Sequence, residues 1–347
     1  MFSKNLKYYR LKKGMTKKEL ANRVDISSMA ISNYENGKRK PDMELMKKIA
    51  AVLGVRVSDF LTVRNEKLVF CHGEFRKNSS LSIAQQEYVK ESVEEYFNRF
   101  MTIVEILGGD VLPDAPSVSI LPLTGNIEQD GRSLRKHLSL ALDGPISNLI
   151  EILENKGILI YVCKIDNDKF SGMSGTVNGR PYIVINENMS PERNRSTIVH
   201  ELSHLMFKWP DDMIDSKTEE LATAISGAFL FPKTDAIREL GIHRTVIAKD
   251  MSLVAQEYGI SMYMLVKRAK LSGIITVSLE KEFYICAAKA GWKKNEPSRI
   301  EKEVPSLFEQ LVYRAINEND ISMQRGAELL KIPYDEVVSR CCFSEVQ

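Results

Sequence analysis

The chain has 347 residues, of which 44% are hydrophobic and 27% charged, and its net charge is +2. That length exceeds one small domain and points to two or three, and the composition is that of a globular chain, not a fibrous or disordered one. No apolar run reaches 18 residues, and the opening "MFSKNLKYYRLKKG" has no apolar signal core, so a membrane partner is excluded and a cytoplasmic location expected.

The five cysteines, Cys71, Cys163, Cys286, Cys341 and Cys342, form no Cys-x-x-Cys pair and read as reduced thiols. Charge is unevenly placed. Residues 1–64 hold 15 Lys and Arg against 6 Asp and Glu, which leaves +9 on this stretch and −7 on the remainder. A basic front on an acidic body suggests that the front meets a polyanion.

In chain order, residues 2–13 predict a first helix with Leu6, Tyr9 and the stem of Arg10 inward, ended by Gly14. Thr16 and Glu19 form a capping box that starts a second helix. After the turn "VDIS", Ser27 caps a third helix carrying Ile31, which ends at Asn36-Gly37. Pro41-Asp42 opens a fourth helix with Leu45, Ile49, Ala50 and Leu53 inward, and a short fifth lies near residues 58–61. Two short helices joined by a tight turn under a basic rim make a helix-turn-helix, whose second helix enters the major groove. Ser28, Met29, Ser32 and Asn33 are the candidates for base edges: hydroxyl and amide groups hydrogen-bond, and Met29 can touch a thymine methyl. Lys17, Lys38, Arg39 and Lys40 are candidates for phosphate contacts, which give affinity and salt dependence without sequence information. A small helical bundle used only for protein contacts is the alternative.

The stretches "GMTKKELA", "AISNYENGKRKPD" and "KIAAVLGV" resemble the Cro/repressor-like (XRE) helix-turn-helix family over residues 3–61. Lys17 stands where that family often has a base-reading Gln, which favours phosphate or guanine there. The resemblance implies binding to a double-stranded DNA operator. A homodimer is expected, because one short recognition helix reads few bases.

Further along, residues 67–71 look strand-like, and Ser80-Leu81-Ser82 opens a long helix to about residue 107. Residues 110–132 read as loop. A helix is expected over 133–142, and another in "DGPISNLIEILENKG", capped by Asp143 or Gly144 and ended by Gly157. Residues 158–165 alternate as a strand, and 171–186 read as a hairpin turning at Asn178-Gly179. The returning strand, Tyr182 to Ile185, is either an edge that can hold a substrate peptide or an interior strand. Ser190 and Pro191 then start the helix containing "TIVHELSHLMF".

His200 and His204 are four apart, so both can present an imidazole nitrogen to one ion, and Glu201 can take a proton from water held there. An amphipathic helix that happens to carry two histidines is the competing reading, but the surrounding Ile198, Val199, Leu202, Leu205 and Met206 make two unpartnered imidazoles costly. The next helix, residues 218–231 before Pro232, can supply a third ligand. Glu219 lies one turn before Ala222 on the face shared with Ile225, Ser226 and Phe229; Glu220 points about 100° away. Two His and one Glu with one position open describe a catalytic zinc site holding one Zn2+, not a closed structural one.

"PYIVINENMSPERNRSTIVHELSHLMF" followed by "EELATAISGAFLFP" resembles the ImmA/IrrE family of metallopeptidases, over about residues 70–275. Aligned on Pro232, the family's third-ligand Glu falls on Glu219. Thr223 replaces the usual Asn, Ile225 Phe, Ser226 Ala, and Ser203 Gly. The resemblance implies cleavage of a regulatory protein such as a repressor, in stress, mobile-element or toxin–antitoxin settings; self-cleavage within the exposed 62–80 linker is a separate expectation. The rival is a transcription factor or antitoxin whose metal site is sensory or structural. Tyr182, His243, Arg244, Tyr258 and Tyr263 are all open as the oxyanion donor; His72 and His137 read as surface or capping residues.

Residues 260–275 are helical with Leu265, Ala269 and Leu271 inward; "ITVSLEKEFYICAAKAGW" alternates and reads as strands; two or three helices close the chain. The expected class is α+β and mostly helical. It comprises a five-helix helix-turn-helix bundle over 1–64, a zincin-like metallopeptidase domain with a small sheet over 65–280, and a helical region over 281–347.

Overall fold

A computed structural model describes residues 2–65, 67–73, 81–292 and 296–341; Ser80 and Cys342, named above, lie outside the described residues. The elements run α1 Phe2–Lys12, α2 Lys17–Arg23, α3 Ser28–Glu35, α4 Met43–Leu53, α5 Val57–Leu61, β1 Phe70–His72, α6 Ile83–Ile106, β2 Leu121–Pro122, α7 Ile127–His137 and α8 Leu149–Glu154. Next come β3 Leu159–Cys163, β4 Gly172–Val177, β5 Arg180–Asn186, α9 Pro191–Met206, β6 Phe207–Lys208, α10 Asp215–Leu230, α11 Lys233–Leu240 and α12 Lys249–Tyr258. The chain continues through α13 Met262–Leu271, α14 Val277–Lys289, α15 Leu307–Asn317, α16 Met323–Leu330 and α17 Tyr334–Cys341. The fold is α+β and mostly helical. None of the described helices is long and apolar enough to cross a membrane.

Contacts divide the chain into two units: Met1–Phe70 with Lys77–Val111 and Phe308–Gln347, and Cys71–Arg76 with Leu112–Leu307. In the first, α1 to α5 close around Leu6, Leu20, Ala21, Ile31, Ile49, Leu53 and Phe60. The capping box is present: Thr16 Oγ1 accepts from Glu19 N at 3.1 Å, and Glu19 accepts from Thr16 N at 2.7 Å. Asp25 takes the left-handed conformation (φ 58°) in the turn between α2 and α3. Arg10 is buried whole, not only along its stem. Its guanidinium donates to both carboxylate oxygens of Glu35 and, at 2.7 Å, to Met15 O, tying α1 to α3.

The second unit holds a four-stranded sheet in the order β1-β4-β5-β3. β4 and β5 are antiparallel, pairing Ser174 with Ile183 and Gly175 with Tyr182; β3 and β5 are parallel. β5 is therefore interior, and the edge-strand alternative for Tyr182 to Ile185 is excluded. Side chains alternate along β5. Ile183 and Ile185 join the core with Ile198, Val199 and Leu202 of α9, so Tyr182 and Val184 point to the other face of the sheet. Asn186 fixes the exit from β5: buried completely, it accepts from Ile165 N and Asn188 N and donates to Asn167 O and Phe170 O.

Four expectations are corrected. The helix expected over 133–142 is α7, starting at residue 127 inside the expected loop, because the Asn126 side chain accepts from Glu128 N and Gln129 N. Gly131 does not break it; a Cβ there would lie 3.0 Å from Ala228 Cβ and 3.1 Å from Phe229 N, so glycine lets α7 pack against α10. The next helix is capped by Asn148 and not by Asp143 or Gly144. The stretch read as strands is α14, capped by Thr276, with Glu280, Phe283 and Ala287 inward at helical spacing. Leu271, expected inward, is 45% exposed.

Residues 296–307 run along the second unit through carboxylate–amide bonds. Glu296 accepts from Met262 N at the start of α13, and Glu303 from Ile150 N at the start of α8. In return Glu192 accepts from Arg299 N, and Glu154 from Ser306 N and Leu307 N.

Candidate metal centre and nucleic-acid interface

α9 begins as the sequence suggests: Ser190 accepts from Arg193 N, Pro191 stands in the first turn, and Glu192 adds charge at the positive end. The helix then buries His200, Glu201, Leu202 and Ser203 between the sheet and α10. Ser226 Oγ donates to Ser196 O at 3.1 Å, and Ala222 is fully buried, so small residues bring α10 close to α9.

That approach brings Glu219 to the two histidines. His200 Nε2 is 3.1 Å from Glu219 Oε2, His204 Nε2 is 3.4 Å from Glu219 Oε1, and the two Nε2 atoms are 3.1 Å apart. Glu220 points elsewhere; its carboxylate is 70% exposed and pairs with Lys217. Among the described residues, His200, His204 and Glu219 are the one His/Cys/Asp/Glu group able to hold a metal ion, with ligand atoms all within 4.8 Å of one another.

The donor chemistry fits such an ion. Ligand atoms about 2.1 Å from a tetrahedral zinc stand about 3.4 Å from each other. Two imidazole nitrogens turned on each other can share only one proton, whereas both can donate a lone pair to a cation between them. Burial opposes the charge on Glu219, but hydrogen bonds from His200 and His204, and their charge, hold its carboxyl well below the usual range. Behind the ring, Thr223 Oγ1 is 3.2 Å from His200 Nδ1, placing a hydroxyl where a ligating imidazole needs an orienting partner. Ser203 Oγ bonds back to Val199 O at 2.8 Å, inside the helix.

Glu201 is 8% exposed, and its Oε2 accepts from Ser174 Oγ at 2.9 Å. Sequence reasoning missed Ser174; its only signal is a small polar residue between Gly172 and Gly175 on the strand against the metal helix. Trp209 was missed too: its ring lies 5.5 Å from that of His204, and its indole N–H is buried with no acceptor among the described residues.

The oxyanion candidates have other engagements. Tyr182 Oη is 2.7 Å from His72 Nδ1 on the face of the sheet away from α9, so His72 joins a buried hydroxyl and is not simply a surface residue. Tyr258 accepts from Arg238, Arg244 bonds Leu240 O and Asp250, and Tyr263 stacks on Tyr284. His243 is exposed, and His137 meets Ser117 O.

In the first unit, Ser27 caps α3 by accepting from Ala30 N. Ser28 and Met29 are exposed at its start, Met29 by 68%, while Ser32 and Asn33 are partly buried. Lys38, Arg39 and Lys40 are exposed, and the first two bond through their backbone N–H groups to Asn33 O. Lys17 is less free than expected: its ammonium lies 3.5 Å from Ser32 Oγ and 3.7 Å from Glu35. The candidates for base and phosphate contact thus share one neighbourhood around α3.

Residues 6–60 match the family model described as helix-turn-helix, and residues 153–270 match the one described as IrrE N-terminal-like domain. An uncharacterized HTH-type transcriptional regulator of Methanocaldococcus jannaschii is 34% identical over 62 residues, 18% of this chain and 94% of that protein. Another, from Archaeoglobus fulgidus, is 36% identical over 63 residues, 18% of this chain and 90% of that one. The HTH-type regulator YqaE of Bacillus subtilis is 34% identical over 70 residues, 20% of this chain and 60% of its own length. The chain therefore belongs to the XRE-type helix-turn-helix family and carries, behind that module, an IrrE N-terminal-like peptidase-family domain.

Proposed function

We propose that this chain is a cytoplasmic DNA-binding transcriptional regulator that is also a zinc-dependent endopeptidase, cutting a regulatory protein: a repressor in trans or its own 62–80 linker. The observation that carries the reading is the convergence of His200 and His204 from α9 with Glu219 from α10, with Glu201 next to His200 in the chain. As functional segments, residues 1–64 bind operator DNA as a homodimer, 65–280 carry the peptidase, and 281–347 form a helical C-terminal region.

One zinc ion, when bound, supplies Lewis acidity and makes water a nucleophile near neutral pH. His200, His204 and Glu219 would hold it. Thr223 keeps the His200 ring in the orientation that turns Nε2 toward Glu219 and His204. Glu201 takes the proton of the attacking water and passes it to the leaving amine. Ser174 holds the Glu201 carboxylate by one oxygen, which leaves the other for the proton. In the first unit, Ser28, Met29, Ser32 and Asn33 read bases, and Lys17, Lys38, Arg39 and Lys40 meet phosphates.

The test compares zinc content and cleavage of a co-encoded repressor for the purified protein, His204→Ala and Glu201→Gln. The reading requires zinc near one per chain in the protein and in Glu201→Gln, its loss in His204→Ala, and cleavage only by the unaltered protein. Equal behaviour of the unaltered protein and Glu201→Gln toward the repressor and toward their own linkers ends the peptidase reading.

A further inference from the structure

An unpaired strand edge recognises an extended peptide through its backbone. The edge that borders Glu201 is that of β4, because Ser174 on this strand donates to the Glu201 carboxylate while the other side of β4 is paired with β5. In this chain the edge is already filled: β1 lies along it, and Gly73 N donates to Ser174 O at 2.8 Å. One residue thus holds the general base with its hydroxyl and the chain's own segment with its carbonyl.

The fit is close. A Cβ on Gly73 would lie 2.6 Å from Ser174 O, and one on Gly175 would lie 2.5 Å from Cys71 O. His72 adds an anchor at 2.7 Å on the Tyr182 hydroxyl, which sits on the face of the sheet away from the metal helix. The segment is therefore gripped by the sheet and not by the centre itself. It is also short: β1 spans 3 residues, and Cys71 is exposed.

We propose that Cys71–Gly73 is a closing strand, filling the position beside Glu201 that an extended peptide must take, and that such a peptide gains the edge by displacing it. This rests on the peptidase reading, and of its two substrates it selects a protein in trans over the chain's own linker.

The test uses full-length protein in a Glu201→Gln background and a fluorescein-labelled synthetic peptide of residues 66–78 with Ser in place of Cys71. Binding is read by anisotropy, with and without the pair of changes His72→Ala and Gly73→Ala. The pair removes the Tyr182 anchor and places a methyl against Ser174 O. The proposal expects at least tenfold tighter binding to the released form, with faster amide exchange in residues 173–176. Equal affinity for both forms, or no binding to either, overturns it. So does cleavage between residues 70 and 74 when zinc is added to protein with Glu201 intact, since the segment is then a substrate. If the paired variant loses its melting transition, His72→Ala alone, which leaves the Tyr182 hydroxyl to the histidine of the peptide, takes its place under the same criteria. Zinc content and hydrolysis of added repressor, read on the same preparations with Glu201 intact, report on the peptidase reading separately.

Discussion

Two buried polar clusters, one in each unit, show how different burial of charge can be. Arg10 and Glu35 pair closely: a planar guanidinium meets both oxygens of one carboxylate, and a third donor takes a backbone carbonyl. In the other unit, His200 and His204 turn the same kind of atom on each other at 3.1 Å, with one carboxylate between them. The first arrangement is closed in its hydrogen bonding and positions α1 against α3. The second gathers three possible ligand atoms, two of them alike, within 4.8 Å of one another. Complementary groups under cover indicate architecture; like groups under cover indicate a ligand.

The largest expected effect lies in the second cluster. Glu201→Gln keeps the shape of the site and removes its proposed proton acceptor, so on the peptidase reading cleavage of a repressor should fall by about 10²- to 10⁴-fold with zinc content unchanged. A parallel loss of zinc would mean that Glu201 is a ligand. Arg10→Ala in the first cluster leaves Glu35 buried with the Lys17 ammonium at 3.7 Å as its remaining ion-pair partner among the described residues, at a cost of about 3–5 kcal/mol at most. The measurement is the denaturant midpoint of the first unit followed by amide exchange, and metal binding should not move. Coupling of the two readouts would break the comparison.

Glu154 sharpens it further, because this buried carboxyl accepts from Ser306 N and Leu307 N yet is pushed up to about 7 by burial, which those two N–H donors only partly offset. A folded-state pKa above the unfolded one means stability that is complete below about pH 4.5 and is lost as pH rises through 7, on the order of 3 kcal/mol at most. Exchange at Ser306 and Leu307, corrected for its intrinsic pH dependence, should therefore quicken between pH 5 and 8, as order-of-magnitude limits of that window, and Glu154→Gln should flatten the profile. Thr223→Val removes the hydroxyl behind His200 and should weaken zinc binding by about 10- to 100-fold in a chelator competition. An unchanged affinity would show that Thr223 only packs. The smallest change belongs to the DNA-binding module: Lys38→Ala should lower affinity alike for all sequences and reduce the salt slope by about 1, whereas Asn33→Ala should cost about 1–3 kcal/mol at one base pair.

Much of this was legible because single residues carry local physics. Thr16 with Glu19, Ser27 and Ser190 mark helix starts by capping, and His200, Glu201 and His204 declare a common helical face. Glu219 was separable from Glu220 by helical phase alone. What could not be read depends on elements distant in sequence. Gly131 looks like a breaker until α10 lies against it, and Ser174 gains its meaning from Glu201, 27 residues later. The alternation in "ITVSLEKEFYICAAKAGW" competes with Glu280, Phe283 and Ala287 at helical spacing, and burial of those three decides for α14. The depth of Arg10 was underestimated because its partner, Glu35, stands on another helix.

The bare backbone at Gly131 reaches as far as the metal centre. α10 rests there at Ala228 and Phe229 and carries Glu219 two and a half turns away, so the contact works as a fulcrum for the carboxylate. One methyl group added at the pivot would swing the far arm, and selectivity among cations of different radius would drift without any ligand having been exchanged.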